Sequence, residues 1–109
     1  MQHIFVLMSF NVAVENGVRY MGEAGKRIWF PTLGKAVSFV EAENDLSDLS
    51  EHRWMHLVLE EVAQGPMAET KVLGWWEARY ADGRFVQWVR VWDPPIDDAK
   101  MYFQFTGIG

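Results

Sequence analysis

The stretch that decides the fold is residues 74–92, which read GWWEARYADGRFVQWVRVW. Two runs of alternating aromatic, β-branched and polar residues flank Asp82-Gly83. This dipeptide favours a two-residue hairpin turn because both residues can adopt positive φ there. The stretch therefore predicts one long β-hairpin, and the position of the turn predicts which residues face each other across it.

Counting back from the turn sorts the side chains onto two faces, since successive residues of a strand point in opposite directions. The first face is apolar and predicts a core: Val72, Trp76, Ala78, Tyr80, Phe85, Val89 and Val91. The second mixes indoles with charges and is the predicted binding surface: Trp75, Glu77, Arg79, Trp88, Arg90 and Trp92. Three exposed indoles on one face would be an unusual patch for a monomer.

Three interpretations of this second face remain open. Arginine opposite tryptophan can stack on the indole, which contributes roughly 0.5–1 kcal/mol when exposed, so the face is consistent with a self-stabilised solvent surface. Tryptophan and arginine are also enriched in interfaces, which favours a homodimer with charges paired across a two-fold axis. The third interpretation is a site for a ligand or another protein.

Composition limits the class of protein. A chain of 109 residues predicts a single domain, residues 1–109. With 50% apolar residues, the chain can bury a core without disulfides or metal ions. The absence of cysteine excludes disulfides, thiolate metal sites and cysteine nucleophiles. The net charge of −5 and the scattered basic residues argue against a nucleic-acid partner.

The apolar N-terminal stretch, residues 1–10, has neither a basic residue before it nor a small-residue cleavage site after it. No stretch reaches the ~20 apolar residues of a membrane-spanning helix. We therefore expect a cytoplasmic protein of bacterial type that does not bind membranes.

The rest of the chain predicts further strands and one helix. Residues 3–14 are apolar on both alternating faces, which is typical of a central strand. Asn16-Gly17 predicts a second tight turn, so that residues 18–21 fold back on 12–14. The glycines and charges of residues 22–27 predict a loop. The clearest helix covers about residues 33–43, with Thr32 as its N-cap.

Residues 54–63 fit either a helix, capped at Ser47 and ended by Gly65-Pro66, or a strand. We favour the strand because it would cover one edge of the long hairpin. Residues 100–106 alternate and predict a last half-buried strand. The fold class is therefore α+β: a single antiparallel sheet of five to six strands with one main helix, about residues 33–43, packed on one face.

Candidate catalytic or metal-binding groups are weak. His52 and His56 could share a metal on a helix, but on a strand they lie about 13 Å apart. The aspartates around Pro94-Pro95, namely Asp93, Asp97 and Asp98, are interpreted as a solvated turn. Glu60 and Glu61 point to opposite faces of a strand, so one of them must face the interior or a pocket. No nucleotide motif or nucleophile elbow is present, and we expect no cofactor, no metal and no enzymatic activity.

The leading hypothesis is a non-enzymatic homodimeric interaction protein that uses the tryptophan face of the hairpin. The alternative is a small-molecule binding protein or minor enzyme. Its pocket would lie between the sheet and the helix, or between subunits, lined by Trp, Phe and Met with one or two polar groups such as His56 or Glu60. A carboxylate such as Glu77 beside aromatic rings would favour a flat or cationic ligand. A third option is an inhibitor that docks its acidic surface onto a basic protein.

Overall fold

The computed structural model describes residues 3–42, 48–49, 52–53, 55–63 and 70–97. The strands are β1 His3–Glu15, β2 Val18–Phe30, β3 Asp48–Leu49, β4 His52–Arg53, β5 His56–Ala63, β6 Thr70–Ala81 and β7 Arg84–Val91. Five of them form an antiparallel sheet in the order β2-β1-β5-β6-β7, while β3 and β4 pair with each other. The fold is α+β, as predicted, and the predicted strand at residues 100–106 lies outside the described residues.

The N-terminal hairpin joins β1 and β2 through Asn16-Gly17, whose φ angles are 52° and 77°. Val12 pairs with Met21 and Val14 with Arg19, so the predicted fold-back is confirmed. The prediction of a loop at residues 22–27 is wrong, because that stretch continues β2.

The glycines of β2 lie at irregularities of the pairing, which shifts between Met8 and Phe10 and between Asn11 and Val12. At Gly22 a Cβ atom would lie 2.7 Å from the Cβ of Ala13, so only glycine allows the two strands to approach this closely. The glycines therefore mark β-bulges inside a strand.

The helix α1 covers Leu33–Glu41, and Thr32 caps it by accepting a hydrogen bond from the Lys35 amide at 3.2 Å. It packs on one face of the sheet, which we call the helix face. Its buried residues Ala36 and Val40 join a cluster formed with Leu7, Leu57, Leu59, Trp76, Ala78 and Trp88.

Residues 56–63 form a strand, which confirms the preferred interpretation of the ambiguous segment. The strand β5 lies at the centre of the sheet, between β1 and β6, because it is apolar on both faces. It covers one edge of the C-terminal hairpin, as expected.

The C-terminal hairpin turns at Asp82-Gly83 with φ angles of 52° and 77°, as predicted. Tyr80 pairs with Phe85, but Arg79 then pairs with Gln87, so Val86 is an extra residue in β7. This β-bulge moves every later residue of β7 to the opposite face. The predicted register is therefore correct only next to the turn and wrong beyond Val86.

The second face of the sheet carries its own apolar cluster, formed by Met8, Phe10, Met21, Val58, Trp75 and Ile96. Ile96 belongs to residues 92–97, which follow β7 and which we call the strap. The strap returns to the far edge of the sheet, where the Asp97 amide donates to the carbonyl of Arg19 at 2.9 Å. We call this side of the sheet the strap face.

The strap crosses the sheet from β7 to β2. Its chain bends at residues 92, 93 and 95–97. Pro94-Pro95 suits this position because proline fixes φ and needs no ladder hydrogen bond. The strap therefore lies over the sheet as an irregular segment and not as a further strand.

Candidate functional site

The six residues of the predicted binding surface do not share one face. Trp75, Glu77 and Arg79 lie on the strap face, as predicted. Trp88 pairs with Ala78 and therefore lies on the helix face, as does Arg90 two residues later. The bulge at Val86 separates them, and Trp92 follows the end of β7.

Burial removes two of the three indoles from the protein surface. Trp75 is 8% exposed and Trp88 is 6% exposed, each within the apolar cluster of its face. Only Trp92, at 80%, is exposed. The prediction of a continuous exposed surface of three tryptophans is therefore wrong.

Arginine–tryptophan stacking does occur, but with other partners than the register predicted. The Arg90 guanidinium lies 4.9 Å from the ring centroid of Trp76 and 4.4 Å from that of Trp92, and it donates to the Leu73 carbonyl at 3.0 Å. A Cβ atom on Gly74 would come within 2.9 Å of the guanidinium carbon. Gly74 therefore makes room for Arg90.

A cleft of about 350 Å³ opens on the strap face, between the sheet and the strap. Each of the five strands of the sheet contributes one residue to its floor, in the spatial order Arg19, Val12, His56, Glu77 and Val91. The strap supplies the remaining wall with Asp93, Pro94 and Pro95. The cleft thus combines apolar walls with four polar side chains.

Arg19 is held at one end of the cleft by Asp97 of the strap. Its Nη2 donates to Asp97 Oδ1 at 2.8 Å, its Nε contacts the same carboxylate at 3.3 and 3.4 Å, and its backbone amide donates to Oδ2 at 2.8 Å. These hydrogen bonds hold the pKa of Asp97 below its usual value and raise that of Arg19. The pair ties the strap to the edge strand β2.

His56 lies at the centre of the cleft floor. Its ring stacks on Phe10 with 5.3 Å between centroids, and Glu77 is its neighbour on β6. Burial lowers the pKa of His56, although the Glu77 carboxylate opposes this shift, so the imidazole is neutral at pH 7. Its buried Nδ1 has no hydrogen-bond partner among the described residues.

Glu60 and Glu61 are adjacent on β5 and therefore point to opposite faces of the sheet. Glu60 is 2% exposed, while Glu61 lies 2.7 Å from the imidazole of His3 at the surface. The prediction that one of the pair faces the interior is confirmed. Within the described residues no three His, Asp or Glu side chains are grouped to hold a metal ion.

Sequence reasoning missed half of the polar groups of the cleft. His56 and Glu77 were named as ligand-binding candidates, but the pocket was expected between the sheet and the helix or between subunits, and the cleft lies on the strap face. Arg19 was assigned no role, and the aspartates beside Pro94-Pro95 were interpreted as a solvated turn. The usable signal was the diproline itself, since a segment with two prolines cannot continue the hydrogen-bond ladder of a sheet and must lie across the sheet or away from it. Nothing in the sequence identifies Arg19 as the anchor of that segment.

Comparison with known proteins does not add a relative: no family model, no curated protein and no solved structure matches the chain. Among the described residues, no helix has the length and apolar character needed to cross a membrane.

Proposed function

We propose that this protein binds a small organic ligand in the cleft between the sheet and the strap. The observation that carries the proposal is the cleft itself, about 350 Å³ in volume and lined by four apolar and four polar residues. That volume falls in the range of small-molecule sites, which are concave, largely apolar and equipped with a few placed polar groups.

The neutral imidazole of His56 supports the proposal independently of the cleft's size. An unpartnered buried polar atom costs free energy that a purely structural core would avoid by placing an apolar residue there. Phenylalanine at this position would stack on Phe10 equally well. The retention of a polar ring beside Glu77 therefore favours recognition of a ligand.

A thermal-shift screen against a panel of metabolites and fragments tests the proposal. We expect a subset of compounds to raise the melting temperature of the wild-type protein and to lose that effect in Val12→Trp, because the larger side chain fills the cleft. Val14→Trp is the matched control, since Val14 lies two residues further along β1 and is exposed.

Glu77→Gln provides a second variant that preserves side-chain volume, with Glu41→Gln at the exposed end of α1 as its control. Uniformly flat shifts across the panel would contradict the proposal. Shifts that persist in both Val12→Trp and Glu77→Gln would place binding elsewhere.

Homodimerisation is a second proposal, and the exposed Trp92 is the observation that favours it. Trp92 is stacked by Arg90 beside β7, which forms an edge of the described sheet, and Val86 of the same strand is also exposed. Tryptophan, arginine and an edge strand are features of self-association.

Size-exclusion chromatography with light scattering at tens of micromolar tests this second proposal. We expect a dimer in the wild type and a monomer in Trp92→Glu, with unchanged circular dichroism in both. A wild-type monomer would contradict it. Trp88 is unsuitable as a probe of association because it is buried within the subunit.

A further inference from the structure

We infer that the ligand of the strap cleft is a small organic cation that carries N–H donors on an apolar body. The inference rests on the proposed function, and it adds the charge and hydrogen-bonding character of the ligand. It follows from which polar groups in the cleft already have ion-pair or hydrogen-bond partners and which can still accept hydrogen bonds.

The described lining of the cleft holds one arginine or lysine, and that residue already has an anionic partner. The residue is Arg19, and both its Nε and its Nη2 already contact the carboxylate of Asp97. An anion would reach only the remaining N–H groups of this guanidinium, beside a carboxylate that repels it. That carboxylate is held in place by the Arg19 amide, which donates to Oδ2 at 2.8 Å, and by the Asp97 amide, which donates to the Arg19 carbonyl at 2.9 Å.

The carboxylates of the cleft retain acceptor capacity. Glu77 Oε1 accepts from Arg79 at 3.0 Å, which uses one of the roughly four acceptor positions of a carboxylate. Asp93 lines the opposite wall, on the strap. A ligand between the two would meet acceptors on two sides.

His56 completes an acceptor-rich and negatively charged environment. Because burial keeps its imidazole neutral at pH 7, it adds no positive charge to offset the two carboxylates. Arg19 is paired with Asp97 and Glu77 with Arg79, so Asp93 leaves the cleft with a net negative charge. The field inside the cleft therefore favours a cation.

The remaining lining residues define the body of the ligand. Val12 and Val91 lie on the floor, and Pro94 and Pro95 form the wall above them. These side chains offer no hydrogen bonds and match a flat or compact apolar group. The ligand is therefore polar and cationic at one end and apolar along the rest.

Isothermal titration calorimetry with benzamidine, benzamide and benzoate tests the inference, since the three probes share one body and differ in charge. We expect benzamidine to bind the wild-type protein at least about tenfold more tightly than benzamide, because hydrogen bonds to charged groups contribute that much. Benzoate should bind more weakly than benzamide.

Variants assign the preference to the cleft. Glu77→Gln should reduce the benzamidine-to-benzamide ratio toward one, Asp93→Asn should reduce it partly, and Glu41→Gln should leave it unchanged. Val12→Trp should abolish binding of benzamidine.

Equal or tighter binding of benzamide or benzoate, lost in Val12→Trp, would overturn the inferred charge while leaving the cleft a binding site. Failure of all three probes alongside hits in the thermal-shift panel would also overturn the inference. Failure of the probes together with a flat panel would overturn the proposed function as well.

Discussion

The two faces of the sheet are covered in different ways. The helix face is closed by α1, whose Ala36 and Val40 pack among the leucines and indoles of the central strands. The strap face is crossed by a single irregular segment that inserts one buried side chain, Ile96, into the apolar cluster. Between the strap and the sheet lies the cleft of about 350 Å³.

This difference follows from the geometry of the covering element. A helix presents a stripe of side chains every three to four residues and fills the space above a sheet. A single segment without regular secondary structure places fewer side chains above the sheet, and its two prolines donate no backbone hydrogen bonds. This difference leaves the space for the cleft on the strap face, where we propose that a ligand binds.

The largest expected effect is on the helix face. Trp88→Ala should lower the free energy of unfolding by about 3–5 kcal/mol, the usual cost of truncating a buried tryptophan. Trp92→Ala, which removes an exposed indole stacked on Arg90, should cost less than about 1 kcal/mol. Urea denaturation measures both, and similar losses for the two variants would contradict the assignment of Trp88 to the core.

Truncation of the strap's buried side chain should have the next largest effect. Ile96→Ala should cost about 2–3 kcal/mol, at the low end for buried aliphatic truncations because the strap can settle toward the sheet. It should also weaken ligand binding, since Ile96 sets the height of the strap above the cleft floor. Val40→Ala on the helix face is the control: it should reduce stability but leave ligand affinity unchanged.

The pH dependence of stability should report on His56. Its folded-state pKa lies below that of the unfolded chain, so the unfolded state binds a proton first as the pH falls. Stability should be constant above about pH 6.5 and fall below it, by less than about 1.4 kcal/mol per pH unit for one proton. Urea denaturation from pH 7.5 to 5 should show this loss in the wild type.

The variant His56→Phe removes the contribution of His56 to the pH dependence of the free energy of unfolding and leaves the contributions of the other histidines in place. We expect the stability difference between His56→Phe and the wild type to grow in favour of the variant as the pH falls below 6.5. A difference independent of pH would show that His56 is not held neutral in the folded state.

The smallest effect should come from loosening the end of the strap. Asp97→Asn removes the charge of a solvent-exposed pair, so global stability should change little. Hydrogen exchange of the Asp97 amide, which donates to the Arg19 carbonyl, should nevertheless become faster. Glu15→Gln, which alters the exposed contact to the Tyr20 hydroxyl in the same hairpin, should leave that exchange unchanged.

Acid should reproduce the effect of Asp97→Asn. The pKa of Asp97 is lowered in the folded state, so its contribution to stability is present above about pH 3.8 and is lost as the pH falls through its folded pKa. Exchange in the wild type at such low pH should approach that of the variant after correction for the intrinsic rate.

Local signals in the sequence predict much of the fold. Asn16-Gly17 and Asp82-Gly83 each require positive φ, and the structure has it at all four residues. Thr32 caps the helix because its hydroxyl reaches the Lys35 amide. These features depend on neighbouring residues alone, which is why a single sequence suffices to predict them.

The bulges escape such reasoning because they depend on pairing with a distant strand. Val86 is an ordinary strand residue in composition, yet its insertion moves Trp88 and Arg90 to the helix face. Gly22 suggests a loop until its approach to Ala13 is known. An error of one residue in register reverses every face assignment beyond it.

Only part of the site could be predicted, because some face assignments depend on pairing with distant strands. Trp75, Glu77 and Arg79 precede the turn on β6, so their placement together on the strap face does not depend on the bulge. His56 could be placed beside Glu77 only once strand β5 was paired with β6. The contact of Arg19 with Asp97 joins residues 78 positions apart, so no local sequence pattern predicts it.

The most direct test of the account is a two-dimensional amide NMR titration of the wild-type protein with benzamidine. We predict chemical-shift changes at the amides of His56, Glu77 and Val91 and along the strap to Asp97, with Ala36 and Val40 of the helix unaffected. Changes concentrated at the helix, or around Trp92 with the strap unperturbed, would contradict the assignment of binding to the strap face.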